Sequence, residues 1–322
     1  MPRIFAPEIN LRTNLRRRSV LKLLTATAAA TVLDAVLPTP LRADISPDWT
    51  TPLPPFRIAG NLYYVGSRDL ASYLVTSPKG HILINSNLVT SPAQILASIQ
   101  KLGFTPHQVK TLLISHAHYD HCAGSAQLKQ LTGAKYLVMD ADIPAVESGG
   151  KRDIQFGTES VTQFPAAKVD RSLHDGGQLI LGDTVLTAHK TAGHTMGCTT
   201  WALTVPDQGH TWNAVIVGSP SVLPGYNLIG DPKYPQMAAD FTQQFRTLKS
   251  LPCDLFLGAH GLFFDLLPKY GRLQAAKAGG PVAPASNPFL DSAGYQAFVT
   301  DRQQAFEAEL AKQKARTALE PK

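Results

Sequence analysis

Cysteine is scarce in this chain: three occur in 322 residues, Cys122, Cys198 and Cys253, at no regular spacing. An odd number so placed permits at most one disulfide, with one thiol left over, and excludes a cysteine-based structural zinc motif. Residues 44–322 hold no Gly-X-Ser-X-Gly nucleophile elbow, which disfavours a serine hydrolase, and no phosphate-cradling glycine loop. They also hold no clustered basic face, so the formal net charge of +6 gives no support for nucleic-acid binding. No internal repeat and no linker is visible. Strand-like and helix-like segments mix throughout, as in a layered α/β domain.

A bilayer-spanning run is missing as well. The apolar stretch from Leu23 to Leu37, interrupted by Asp34 and threonines, is too short and too weakly hydrophobic to span. Preceded by Arg16-Arg17-Arg18-Ser19-Val20-Leu21-Lys22, it has the shape of a signal peptide. The pair Arg17-Arg18, followed by an apolar pair and Lys22, resembles the twin-arginine export signal, which carries already folded proteins across the bacterial inner membrane. Cleavage is expected after Ala43, leaving residues 44–322 as a single domain in the periplasm. The leader holds seven Lys/Arg and two Asp/Glu, so it supplies most of the positive charge and the remainder is near neutral, at +1.

Beyond the leader, Phe56-Arg57-Ile58, Leu62-Tyr63-Tyr64-Val65, Tyr73-Leu74-Val75 and Ile82-Leu83-Ile84 read as strands, with Pro78-Lys79-Gly80 closing a hairpin between the last two. Ile95, Leu96, Ile99 and Leu102 recur at helical spacing before Gly103, which predicts an amphipathic helix over residues 92–102. Thr111-Leu112-Leu113-Ile114-Ser115 reads as a buried strand, residues 122–132 as one helix, 135–139 as a strand and 149–168 as a long irregular loop, often a functional feature. Antiparallel strands are expected around 178–181, 185–189, 199–205 and 214–217, the last two joined by Pro206-Asp207-Gln208-Gly209. After a Pro/Gly-rich loop over 219–235 come a helix (237–251), a strand (254–257) and two further helices. In the last, Tyr295, Val299, Phe306 and Leu310 share a face.

The densest chemistry follows the buried strand directly: His116-Ala117-His118-Tyr119-Asp120-His121 puts four potential metal ligands within six residues. A turn at a strand end aims alternate side chains into one cavity, so His116 and His118 can share one metal while Asp120 and His121 turn toward a second. Imidazole and carboxylate together suit zinc. Gly193-His194-Thr195 and Gly258-Ala259-His260-Gly261 each place a further histidine at a strand's carboxyl end, where open α/β sheets present ligands. Their glycines let the backbone pass close to an occupied site. Cys122 and His189 are read as structural.

His-X-His-X-Asp-His, a downstream Gly-His-Thr and a late histidine are together similar to the metallo-β-lactamase superfamily. Within it, Gly193-His194-Thr195-Met196-Gly197-Cys198-Thr199-Thr200-Trp201, Pro224-Gly225-Tyr226-Asn227-Leu228 and Leu251-Pro252-Cys253-Asp254 resemble signatures of the third subclass of class B β-lactamases. The resemblance runs from about Trp49 to Gly280. It implies an α/β fold, a four-layer αββα sandwich with two mixed sheets face to face and helices outside. It also implies two zinc ions, one on His116, His118 and His194 and the other on Asp120, His121 and His260.

The activity implied is hydrolysis of the lactam amide of β-lactam antibiotics by a metal-bound hydroxide that Asp120 orients, since two zincs about 3.5–4 Å apart bring the pKa of water toward 7 without a protein base. The expected partner is a small-molecule β-lactam, taken by a monomer with no nucleic acid and no stable membrane insertion once the leader is gone. Ser219 stands after Val215-Ile216-Val217-Gly218, where superfamily glyoxalases, lactonases and nucleases usually carry a metal-bridging aspartate. That favours the lactamase over the alternative, a lactonase or a glyoxalase II-like thioester hydrolase. Ser219 and Ser221 resemble serines that hold the substrate carboxylate, and Phe156 an aromatic that packs against substrate side chains. Two departures stand out. Asn85 replaces an aspartate that many members carry behind the metal site, which is expected to weaken its support. Cys253 resembles a cysteine bridged to a partner near the C-terminus, yet no cysteine follows it, so that bridge is expected to be missing.

Overall fold

Parallel strands buried on both faces need crossover helices to cover them, and that requirement organises the whole chain. The computed structural model describes residues 46–279 and 287–319; the leader and export signal expected over residues 1–43 lie outside them. Strands β1 (Phe56–Ala59), β2 (Leu62–Tyr64), β3 (Tyr73–Ser77), β4 (Gly80–Ile84), β5 (Val109–Leu113), β6 (Lys135–Met139) and β7 (Arg171–Leu173) form a seven-stranded sheet in sequence order. Strands β8 (Gly177–Leu181), β9 (Thr184–Lys190), β10 (Thr199–Asp207), β11 (His210–Val217) and β12 (Leu255–Gly258) form a five-stranded sheet in the order β12-β11-β10-β9-β8.

The first sheet is antiparallel up to β4 and parallel from β4 to β7. The second is antiparallel from β8 to β11, with β12 parallel to β11. A short helix α1 (Pro47–Thr50) precedes β1. The parallel crossovers carry α2 (Pro92–Lys101), α3 (Tyr119–Cys122) with α4 (Ser125–Thr132), α5 (Ile143–Glu147) and α6 (Met237–Ser250); α7 (Leu266–Ala278) and α8 (Ser292–Leu319) follow β12.

Period-two alternation divides the apolar residues between two cores. Ile82 and Ile84 of β4 join Leu186 of β9, Trp201 and Leu203 of β10, and Phe241 and Phe245 of α6 in the larger one. Leu83 of the same strand β4 joins Leu112, Tyr136, Ile95 and Ile99 of α2, Leu128 of α4 and Val146 of α5 in the other. The layers are therefore helix, sheet, sheet, helix, the αββα sandwich that the resemblance implies.

Strand direction fixes where functional loops emerge. Because β10 is antiparallel to both neighbours, β9, β11 and β12 point the same way and end at one edge. Cross-sheet bonds fasten that edge to the carboxyl end of β5: Thr199 N–H donates to Ser115 O at 2.7 Å, and Trp201 Nε1–H to Ile114 O at 3.2 Å. On the other side Ala71 N–H donates to Ala259 O at 3.0 Å.

Three local expectations are corrected. The single helix over 122–132 is two, α3 starting at Tyr119 and α4 at Ser125, because Gly124 lies against β4's outgoing loop: a Cβ there would sit 2.5 Å from Ser86 O. Strand β7 had no sequence signal, being three residues long with only Leu173 buried. The expected face of α8 buries Tyr295, Val299 and Phe306 but also Gln313, whose amide accepts Leu228 N–H and donates to Tyr226 O. The loop over 149–168 is irregular apart from one 3-10 turn, Ser160–Thr162. All three cysteines are buried and unbridged, in keeping with the missing partner of Cys253. Among the described residues no helix is long and apolar enough to cross a membrane.

His81 of β4 is buried with neither ring nitrogen hydrogen-bonded, its ring edge-on to Phe104 at 4.8 Å. Burial holds it below the ordinary histidine value of 6.5, so the unfolded chain takes its proton first and stability is lost as pH falls below that value. His81→Leu is expected to retain urea stability near pH 8 and to lose less than the unsubstituted protein on acidification to about pH 5. Parallel losses in the two proteins would show that His81 does not contribute to acid sensitivity.

Candidate metal centre

Between the end of β5 and the start of α3 the chain turns through Ser115, and Asn85 holds that turn. Its Oδ1 accepts Ser115 N–H at 2.7 Å and its Nδ2 donates to Ala71 O at 3.1 Å. Asn85 has φ of 68°, in the left-handed region that asparagine tolerates. An amide offers both the acceptor and the donor this position uses; a carboxylate offers no donor. The side chain thus braces the main chain in front of His116 rather than a histidine ring.

From that turn His116 and His118 reach His194, which follows β9. Ring centroids lie 4.9 Å (His116 to His118), 4.6 Å (His116 to His194) and 4.7 Å (His118 to His194) apart. One nitrogen from each lies within 4.8 Å of the others, all three residues being buried. Beside them, Asp120 Oδ2, His121 Nε2 and His260 Nε2 form a triangle: 3.3 Å from Asp120 to His121, 3.5 Å from Asp120 to His260, and 3.1 Å between the histidines. A tetrahedral ion with bonds of about 2.0–2.1 Å sets its ligand atoms about 3.3 Å apart. His116 also lies within 4.8 Å of Asp120 and His121, so the two groups adjoin. The structure therefore brings six residues from three distant stretches together.

The outward nitrogens decide the tautomers. His194 Nδ1 donates to Ser221 O at 2.8 Å, a carbonyl that can only accept, which leaves Nε2 as a lone pair. His260 Nδ1 donates to Asp69 Oδ2 at 3.0 Å, and His118 Nε2 lies 3.4 Å from Asp153 Oδ2 without a hydrogen bond. His121 Nδ1 is buried with no partner. Three imidazoles on one side and two with a carboxylate on the other are a donor set that fits two zinc-like cations.

Burial, then mutual repulsion, lowers His116 and His194 well below the ordinary histidine value. Burial also lowers His121 against the pull of Asp120. It opposes protonation of His260 too, but Asp120 and Asp69 outweigh it and hold this histidine up at about 9. His118 is raised likewise, Asp153 outweighing burial. Burial works against the Asp120 carboxylate, yet His121 and His260 keep it well below the usual range. An ionised Asp120 beside neutral imidazoles is what a divalent cation requires, and His260 must release its proton to become a ligand.

Three carboxylates behind the centre escaped the sequence reading. Asp69 accepts from His260, from Leu262 N–H at 2.9 Å and from Trp49 Nε1–H at 2.9 Å. Asp153 faces His118 and accepts Gln155 and Phe156 N–H. Asp142 accepts from Ala117, Thr195 and Gly197, and burial pushes its carboxyl up to about 6 against those bonds. Of these, Asp142 had a usable signal, because it closely follows a buried parallel strand as His116 does; Asp69 and Asp153 had none.

A cleft of about 750 Å³ opens over the cluster, walled by Trp49, Phe156, Leu223, Leu262 and Phe263 and lined by Ser219 and Ser221. The Phe156 ring stands 5.3 Å from His118. Ser219 has its N–H against Cys198 Sγ and its carbonyl on Gln244 Nε2, so its hydroxyl is its remaining polar group. Cys122, its thiol pushed up chiefly by burial, and His189 on β9 stay out of the cluster.

With this geometry in place, comparison with known proteins is informative. The sequence profile of the metallo-beta-lactamase superfamily matches residues 68–204. The native FEZ-1 metallo-beta-lactamase from Legionella gormanii superposes with a TM-score of 0.78 at 49% identity, over 82% of this chain and 98% of that one. BJP-1, a subclass B3 metallo-beta-lactamase of Bradyrhizobium japonicum, does so at 0.75 and 34%, over 85% and 99%. A probable metallo-hydrolase of Burkholderia pseudomallei is 29% identical over 138 residues, 42% of this chain and 45% of its own length. The chain thus spans under half the length of the curated relatives it matches.

Asp69→Ala leaves three donors, on His260, Leu262 and Trp49, without their acceptor. Each unsatisfied buried group costs about 1–3 kcal/mol. The expected result is a clear fall in the urea midpoint together with weaker zinc retention; an unchanged midpoint would show that these donors find other acceptors.

Proposed function

This chain belongs to the metallo-β-lactamase superfamily, and from that premise we propose that it is a zinc-dependent β-lactamase that opens the lactam amide of β-lactam antibiotics. The observation that carries the proposal is the pair of adjoining candidate ligand groups, three histidines beside Asp120, His121 and His260, at a cleft that Ser219 also lines. Likeness to FEZ-1 and BJP-1, both named metallo-beta-lactamases, supports it.

His116, His118 and His194 would hold one zinc, and Asp120, His121 and His260 the other. When bound, the pair supplies a hydroxide nucleophile near neutral pH and polarises an acyl oxygen. The protein's own contributions are orientation and exclusion of water. The Asp120 carboxylate, kept ionised by its histidine neighbours, accepts a hydrogen bond from the attacking water and fixes its direction. Ser219 and Ser221 hold the substrate carboxylate. Phe156, Leu223 and Phe263 cover the apolar substituents and keep bulk water from the reacting carbonyl. The reaction so read needs no side-chain nucleophile, and none of the three buried cysteines lines the cleft.

The same reading has the protein act as a monomer on a small molecule in the periplasm, with residues 1–43 as a leader removed on export by the twin-arginine route. Replacing Arg17 and Arg18 by lysine is expected to leave the enzyme in the cytoplasm, as fractionation would show.

Protein loaded with two equivalents of zinc is expected to turn over a chromogenic cephalosporin in preference to a homoserine lactone or a glutathione thioester. Preference for either of the latter two would replace the lactamase by a lactonase or a thioester hydrolase. His118→Ala is expected to lose at least one zinc by elemental analysis and nearly all hydrolysis, while Cys122→Ala retains both. Phe156→Ala is expected to raise KM about tenfold for substrates with bulky apolar substituents, with a smaller change in kcat.

A further inference from the structure

The reading of His116, His118 and His194 as a metal centre leaves open what keeps two remote turns of chain at the spacing a shared cation needs. His116 and His118 stand on the turn after β5, His194 on the turn after β9, in different sheets. One side chain touches both turns. Asp142, at the end of the 3-10 turn Asp140–Asp142 that follows β6, is 3% exposed. Its Oδ2 accepts Ala117 N–H at 2.9 Å, the main-chain group between His116 and His118, and also Thr195 Oγ1–H at 2.9 Å, next to His194. Its Oδ1 accepts Gly197 N–H at 2.8 Å.

We infer that Asp142 is a positioning residue: it sets the separation between the His116/His118 turn and the His194 turn and thereby tunes the metal affinity of the three-histidine group. The fit around it is close. A Cβ on Gly197 would lie 2.6 Å from Asp142 N and 2.7 Å from its Cβ and Cγ, so only glycine lets the carboxylate seat. The three donors need acceptors on both oxygens. Asparagine, of the same size, has one acceptor oxygen, and in either orientation its NH2 group meets a backbone N–H. In the Asp120/His121/His260 group, His260 has an anchor of its own, Asp69, whereas Asp142 bonds the groups beside His116, His118 and His194, so loss of Asp142 acts chiefly on the three-histidine group. Side chains that orient ligands in this way change metal affinity by about 10–100-fold.

The inference rests on the metal-centre reading, and the test separates the two. Metal-free full-length protein, Asp142→Asn and Thr195→Val are titrated with zinc against a chromophoric chelator, and their cobalt(II) absorption is recorded. The unsubstituted protein is expected to bind two equivalents. Asp142→Asn is expected to weaken one by about 10–100-fold, to leave the other within about threefold, and to shift the cobalt spectrum. Thr195→Val, which removes a single donor, is expected to give a smaller loss at the same site, and it decides the matter if Asp142→Asn does not fold. Retention of both affinities, or equal weakening of both with a lower Tm of the metal-free protein, overturns the inference. Fewer than two equivalents bound by the unsubstituted protein overturns the metal-centre reading, and this inference with it.

Discussion

Five imidazoles and one carboxylate crowded into a buried space repel, desolvate and attract one another at once, and the rest of the fold answers to that crowding. Hydrophobic burial alone does not assemble a cluster of this kind, since the ring nitrogens and the carboxylate lose water and need polar partners in return. What holds two of the rings in place is a hydrogen-bond partner for the outward nitrogen, Ser221 O for His194 and Asp69 for His260, while His118 has the Asp153 carboxylate facing it at 3.4 Å. In His194 that bond leaves the inward nitrogen free; in His260 the inward nitrogen becomes free only when the ring gives up the proton that Asp120 and Asp69 hold on it. The protonation pattern follows from the same geometry. The rings hemmed in by other rings are driven neutral, and the ring between two carboxylates, His260, is held charged.

Such precision demands a rigid frame, which comes from ending several parallel strands at one edge and cross-bonding the two sheets there. Helices stiffen the loops that complete the site. Gln244 of α6 fixes the main chain of Ser219, and Gln313 of α8 fixes Tyr226 and Leu228. Tyr226 in turn donates its hydroxyl to His194 O at 2.7 Å. A buried glutamine is costly unless its amide is used; Gln313 uses both its oxygen and its nitrogen on loop backbone, while Gln244 uses its nitrogen and leaves Oε1 without a partner.

The cleft divides its labour by chemistry. Its floor is ionisable and its walls are aromatic and aliphatic, with the wall residue Trp49 also donating to Asp69. A wall and a ligand are thereby linked through one carboxylate, and Asp153 makes a similar link between the loop that carries Phe156 and His118. The cleft wall and the histidine cluster are thus tied together through Asp69.

By itself the sequence determined the candidate ligand types, the strands that end in them and a layered α/β class, because these depend on local periodicity and on motifs a few residues long; the αββα order came from the family resemblance those motifs carry. His116 to His121 could be read from a single turn, and His194 and His260 from glycine-flanked strand ends. Only the tertiary structure decided which groups stand behind the ligands. Asp69, Asp142 and Asp153 meet their partners across long stretches of chain, and no local pattern encodes those encounters. It also decided what Asn85 does, where α3 breaks from α4 at Gly124, and that a three-residue β7 exists at all. In each case the cause is a close approach of distant backbone, a property of packing in three dimensions that residue order alone does not display.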